Sequence, residues 1–290
     1  MKISEHINLL HMAEKLVGHR DYTIKSYSSN VEKWLRWSSN NKCVLSTESI
    51  KNYLYEISLK NKNSTVNLAI DAIKFHVCNV IKSPEIVSTI KHLKTDKPLP
   101  RIHSKEECFD IIDSMKNVKH RLLLMLSYGC GLRVGEAVSL RVSQVNIDRM
   151  QLRINSEAKG GKHRILPLDK SQVDLFVQYC KNYGELEYIF SGQNGGHISK
   201  RTAEKIYSSA CMKSGVVPTG FHTLRHSFAT HLIEMGYDIH LVRKLMGHKS
   251  IRTTEIYLHL SNKYMSEIKN PMSDYKKESH TVELCEVKFG

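Results

Sequence analysis

From Ile50 onward the apolar residues Tyr53, Leu54 and Ile57 recur at i, i+3, i+4 and i+7, and Val66, Ile70, Ile73, Val77 and Val80 continue a seven-residue rhythm. That spacing lays one apolar stripe along a helix, so both stretches are predicted to be amphipathic helices. Ile24, Tyr27, Val31, Trp34 and Leu35 draw a third stripe, and Ile7 and Leu10 mark a helix before it. Residues 1–93 therefore read as a four-helix module.

The pattern breaks at Lys94-Thr-Asp-Lys-Pro-Leu-Pro-Arg101, which has two prolines, four charges and no periodicity. An extended linker over residues 94–104 is the expectation. An apolar helix starts with Arg121 to Leu126, and Leu152 to Ile154 and Arg164 to Leu166 flank Lys159-Gly160-Gly161-Lys162 in the pattern of a β-hairpin closed by a glycine turn. Tyr188-Ile-Phe190 reads as a further short strand, and helices resume near Ser199. The class is mainly α with a small β-sheet, with a second domain over 105–275 and a tail over 276–290. A length of 290 residues suits two domains.

Charge narrows the partner. Lys and Arg number 43 against 29 Asp and Glu, a net +14, on a chain whose 41% hydrophobic content is that of a folded globule. Up to Lys97 there are 15 basic and 9 acidic residues, so both halves carry an excess. A polyanion, nucleic acid above all, is the expected partner. The longest apolar run, Leu122 to Leu126, is far short of the ~18 residues that span a bilayer, and no signal-like apolar core precedes Ile7. No membrane association and a cytoplasmic location are expected. Seven cysteines with no CxxC pair read as reduced thiols rather than a disulfide or zinc framework.

Three segments of the second half carry candidate chemistry: Gly129-Cys-Gly-Leu-Arg-Val-Gly-Glu136, His222-Thr-Leu-Arg-His-Ser-Phe-Ala-Thr-His231 and Leu245-Met-Gly-His-Lys-Ser-Ile-Arg-Thr-Thr-Glu-Ile-Tyr257. Each has a plainer reading alone. Gly129, Gly131 and Gly135 are not spaced as GxGxxG, and a helix entry with an exposed arginine would suffice. His222, His226 and His231 fall short of a zinc-protease helix, because Thr223 stands where a glutamate is needed. Tyr257 could be a half-buried packing residue.

Taken together and in this order, they resemble the tyrosine recombinase (phage integrase) family, its Xer-like branch in particular. The family signature falls on Arg133, Lys159, His222, Arg225, His248 and Tyr257, and the likeness continues through Leu224 to Leu232 and Leu245 to His248. The resemblance implies a helical, SAM-like core-binding domain followed by an α+β catalytic domain. It also implies site-specific cleavage and rejoining of DNA through a 3′-phosphotyrosyl intermediate and a Holliday junction, with no ATP, metal or other cofactor.

The chemistry suits these residue types. In-line attack on a phosphodiester raises the negative charge on its equatorial oxygens, which calls for preorganised cations. Arg133 and Arg225 offer planar forks for those oxygens, and His248 offers a further hydrogen bond or packs on the nucleophile. The family's nucleophile falls on Tyr257, whose phenol must lose a proton, and the candidate base is His222. The departing 5′ oxygen calls for an acid, and the resemblance implies Lys159 for that role, ahead of its hairpin neighbour Lys162. Glu136, three residues after Arg133, is expected to orient an arginine.

For DNA contacts the candidates are Ser64, Thr65, Asn67 and Lys74 in the first half, and Lys162, Lys200, Arg201 and Lys205 in the second. The resemblance further implies double-stranded DNA held between two basic domains, a homotetramer on two DNA sites, a C-terminal segment beyond Pro271 docking on a neighbouring subunit, and accessory recombination factors. A type IB topoisomerase that only relaxes DNA, or a non-catalytic DNA-binding protein on the same scaffold, are the alternative readings.

Overall fold

A computed structural model describes residues 2–95, 99–155, 163–184, 187–193, 195–248 and 250–258. The chain divides into two compact units, Met1–Pro98 and Leu99–Gly290.

The first unit is built from α1 (Ile3–Leu16), α2 (Asp21–Asn40), α3 (Thr47–Ser58) and α4 (Asn63–His76). The helices stand where the apolar stripes place them. Ser46 caps α3 by accepting the Ser49 N–H at 3.1 Å, which satisfies one of the donors that a helix start leaves free. Val31, Trp34, Ile50, Tyr53, Val66, Ile70 and Ile73 form the buried core. Each such side chain is worth about 1.5–3 kcal/mol on leaving water. The rhythm that runs on to Val80 passes into a wider π-helical turn, Val77–Ile81, which ends at Lys82 with φ +64°.

In the second unit, α5 (Lys105–Asp113), α6 (Val118–Gly129) and the short α7 (Val134–Val138) precede a three-stranded antiparallel sheet of β1 (Val145–Asn146), β2 (Gln151–Ile154) and β3 (Arg164–Pro167). α8 (Lys170–Tyr183), α9 (Lys200–Ser214), α10 (His222–Glu234), α11 (Ile239–Met246) and α12 (Arg252–Glu255) follow. The predicted hairpin is present as β2 and β3, with Leu152 opposite Leu166 and Ile154 opposite Arg164. Its turn, with Lys159 and Lys162, lies outside the described residues, as does everything beyond Leu258.

Tyr188-Ile-Phe190 differs from expectation. It forms a single bridge, Tyr188 to Arg141, rather than a strand: Ile189 donates to the Leu140 carbonyl, the Phe190 carbonyl accepts from Ile198, and both side chains are fully buried in the core. The third strand is β1. The residues just before α5 are anchored in this unit: His103 donates its backbone N–H to Ser227 Oγ at 2.8 Å, and its ring pairs with the Tyr207 hydroxyl. α10 is central and packs against α5, α6 and α11. Its residues are buried on nearly every side, polar ones included, so its weak amphipathicity reflects a helix enclosed by protein.

Candidate active site

The site is organised around one carboxylate. Glu136, at the third position of α7, accepts the backbone N–H of Arg133 at 2.9 Å and Arg133 Nη1 at 3.0 Å, closing the start of the helix. Arg164, first residue of β3, grips the same carboxylate with both terminal nitrogens, at 3.0 and 2.7 Å. Arg225 Nη1 stands 3.9 Å away. Burial opposes the charge on Glu136, but the hydrogen bonds and charges of Arg164 and Arg133 outweigh it and hold the pKa at about 2. Three guanidiniums around one carboxylate leave the cluster with a net +2.

The two phosphate candidates differ in access. Arg133 has 40% of its side chain exposed and extends Nη2 to the Gly247 carbonyl. Arg225 is 2% exposed, and its terminal nitrogens donate to the carbonyls of Gly131 and Met246. It thereby ties the turn before α7 to the end of α11. Burial and the neighbouring Arg133 push its pKa down to about 9, so it is charged at neutral pH and an anion beside it would be stabilising. That turn requires glycine: Gly131 has φ +58°, and a Cβ there would fall 2.3 Å from the Phe228 ring.

At the other side, α11 ends in a left-handed Gly247, φ +62°, packed against Arg164. His248 follows, and its Nδ1 pairs with Thr254 Oγ1 at 3.0 Å. The His248 ring stacks on Tyr257, 13° from parallel with centroids 6.3 Å apart. Tyr257 itself is only 2% exposed, in a small apolar cluster with Ala229, Ile233, Val242 and Met246. Its hydroxyl lies 3.0 Å from His226 Nδ1. Burial raises the Tyr257 pKa, against the lowering pull of Arg225 and Arg133.

His226 and His248 are neutral at physiological pH, and His222 is shifted in the same direction. Burial, with Arg225 and Arg133 following, lowers His222 and pushes His248 to about 4, and burial with His222 and Arg225 pushes His226 to about 4. His222 keeps an exposed edge and meets His226 with ring centroids 5.4 Å apart. His231 faces elsewhere and pairs with the Tyr128 hydroxyl at 2.8 Å.

The sequence profile described as the phage integrase family matches residues 102–263, more than half of the chain. The chain belongs to the phage integrase family. Among curated relatives of this family member, a tyrosine recombinase of Pseudothermotoga lettingae is 32% identical over 83% of the chain and 88% of its own length. The tyrosine recombinase XerD of Oceanobacillus iheyensis is 29% identical over 87% and 92%. Among solved structures, the XerH site-specific recombinase in a post-cleavage complex with its palindromic difH substrate superposes with a TM-score of 0.73, at 20% identity over 92% of this chain and 83% of that one. A lambda integrase dimer bound to a COC′ core site gives 0.71, at 19% identity over 87% and 97%. The two structures share its fold, and the curated relatives place the chain in the Xer-like branch of tyrosine recombinases.

In this integrase-family site, Arg133, Arg225, His248 and Tyr257 are brought together, and His222 stands at the edge, separated from Tyr257 by His226. Lys159 and Lys162 lie outside the described residues. Lys200, Arg201 and Lys205 are exposed on α9, with Lys200 packed over Gly135 beside Arg133. Ser64 and Thr65 are exposed on the first turn of α4, and Lys74 is half-buried. Asn67 has a local engagement, its amide donating to the Leu93 carbonyl and accepting the Leu93 N–H. Two participants carried no assigned role in the sequence. Arg164 was legible only as a basic residue at an inward position of an alternating strand, the kind of position that demands a partner. His226 was visible as part of a histidine run whose use the sequence does not indicate.

Proposed function

We propose that this protein is a site-specific DNA recombinase in which Tyr257 attacks a phosphodiester held by Arg133 and Arg225. The observation that carries the reading is the convergence of a net +2 arginine cluster with a histidine-flanked, pre-packed tyrosine, joined through the Gly247 to His248 turn. His248 pairs through Nδ1 with Thr254 Oγ1, and in its Nε2–H tautomer the other ring nitrogen would donate to a phosphate oxygen. Lys159 is the acid for the 5′ oxygen by family resemblance. The 3′-phosphotyrosyl link preserves the energy of the broken bond, so a partner strand's 5′ hydroxyl can attack it and complete the exchange.

The working assembly is a homotetramer on two DNA sites in the cytoplasm, acting on a mobile element or in dimer resolution, with accessory factors. The chain's basic excess and the DNA complexes of its structural neighbours support the DNA partner of this assembly. No helix among the described residues is long and apolar enough to cross a membrane.

The test is to sequence the DNA covalently attached to the protein in cells. A single recurrent sequence, lost in Tyr257→Phe, is the expected result. Adducts spread over unrelated sequences, with supercoil relaxation and no joint products, would favour the topoisomerase reading instead.

A further inference from the structure

The Tyr257 hydroxyl has one partner among the described residues, His226 Nδ1 at 3.0 Å, with the two rings 45° apart. His226 directly follows Arg225 on α10, so one helix supplies both the most buried cation and the partner of the phenol. In the Nε2–H tautomer of the neutral ring, His226 Nδ1 accepts from the Tyr257 hydroxyl, the arrangement that proton transfer from the phenol requires. The groups facing His226 are His222 and Arg225 on its own helix, and Tyr257 and His248 from the segment after α11. Burial, with His222 and Arg225 following, holds its pKa at about 4, so the ring is neutral at neutral pH and keeps one bare nitrogen. His222 touches the ring of His226 rather than the phenol.

We propose that His226 Nδ1, rather than His222, receives the phenolic proton when Tyr257 attacks DNA. The inference rests on the recombinase reading above. In the step, the bond from Tyr257 oxygen to phosphorus forms and the bond from phosphorus to the 5′ oxygen breaks. The phenolic proton passes to His226, and the 5′ oxygen takes a proton from Lys159. Burial raises Tyr257 and lowers His226, so the resting proton stays on the phenol. Transfer therefore accompanies attack, as bonding to phosphorus makes the phenolic oxygen strongly acidic. A base that is always unprotonated at neutral pH and already hydrogen-bonded to the nucleophile needs no rearrangement of its own for that moment.

The experiment uses the full-length protein on a nicked duplex carrying the sequence recovered from cells, made with either an ordinary 5′ oxygen or a bridging 5′ sulfur at the scissile position. Sulfur departs without an acid, so it rescues variants that lack the acid and not those that lack the proton acceptor. His226→Ala is expected to slow adduct formation by about 100-fold or more on both substrates, the loss typical of a missing general base. His226→Asn, which keeps an acceptor atom near the Nδ1 position but cannot hold the proton, stays slow, and His222→Ala loses less than His226→Ala. Near-wild-type rates in His226→Asn, rescue of His226→Ala by sulfur, or a larger loss in His222→Ala would each overturn the assignment. A readout without DNA keeps the pair testable by itself: the ¹⁵N shift of His226 Nδ1 is expected to move in Tyr257→Phe, and an unmoved signal counts against the contact. No adduct from the wild-type protein on such duplexes would instead retire the recombinase reading.

Discussion

Glu14 and Glu136 are both taken out of bulk water by folding, one in each unit, and they end at opposite ends of the carboxylate range. Glu14, on α1, is fully buried with no hydrogen-bond partner for either oxygen among the described residues, and burial alone raises its pKa to about 7. Burial also opposes the charge on Glu136, whose side chain is 18% exposed, but Arg164 and Arg133 reverse it and take the pKa to about 2. The difference lies in the partners. An unpaired buried carboxylate costs stability and marks a core imperfection, whereas a carboxylate shared by three arginines preorganises a site whose remaining positive charge is available to an anion.

The largest effect is expected from Glu136→Gln, which leaves three crowded guanidiniums without their counterion. Removing one partner of a buried pair costs about 4 kcal/mol, so the calorimetric transition of the second unit should fall accordingly at pH 7. An unchanged transition would show that the arginines do not depend on it. In the wild type this contribution is present above about pH 4.5 and is lost as pH falls toward 2.

Glu14 gives the opposite sign. Between pH 4.5 and about 7 the folded chain keeps a proton that the unfolded chain has lost, so stability falls as pH rises through that window and stays low above it. Glu14→Gln should therefore match the wild type near pH 4.5 and exceed it by about 3 kcal/mol at pH 8. Both tryptophans, Trp34 and Trp37, lie in the first unit, so their fluorescence follows this transition without interference from the second.

Two smaller effects sharpen the contrast. Arg164→Met and Glu136→Gln combined should lose less than the two single losses added, with a coupling of about 2 kcal/mol in a double-mutant cycle, and additivity would contradict the shared cluster. Asp71 pairs with His92 at 2.8 Å, but both side chains are about half exposed. Asp71→Asn should shift stability by less than about 1 kcal/mol, because solvent screens such pairs. A loss as large as that of Glu136→Gln would mean that pairing rather than burial sets the scale.

What the sequence made legible follows from the same physics. The four helices of the first unit and the β2 to β3 hairpin were readable because apolar periodicity of 3.6 or 2 is a local property, and Arg133, Arg225, His248 and Tyr257 were readable as a spaced set. Phe190 was misleading because a short apolar run looks alike whether it enters a sheet or plugs a core. Arg164 and His226 were hidden for a different reason. Their roles arise from contacts 28 and 31 residues away in the chain, Arg164 with Glu136 and His226 with Tyr257. Glu14 was hidden because periodicity says which face is buried and not whether a polar group there finds a partner.

The central claim is that Tyr257 is the nucleophile of a phosphate site assembled by the arginine cluster. Its most direct test is mass spectrometry of the peptides recovered after trapping the protein on a nicked suicide duplex of the cellular target sequence. A nucleotide linked through phosphate to Tyr257, absent from a Tyr257→Phe protein that still binds the duplex, is the expected result. An adduct on any other residue, or one that persists in Tyr257→Phe, would contradict it.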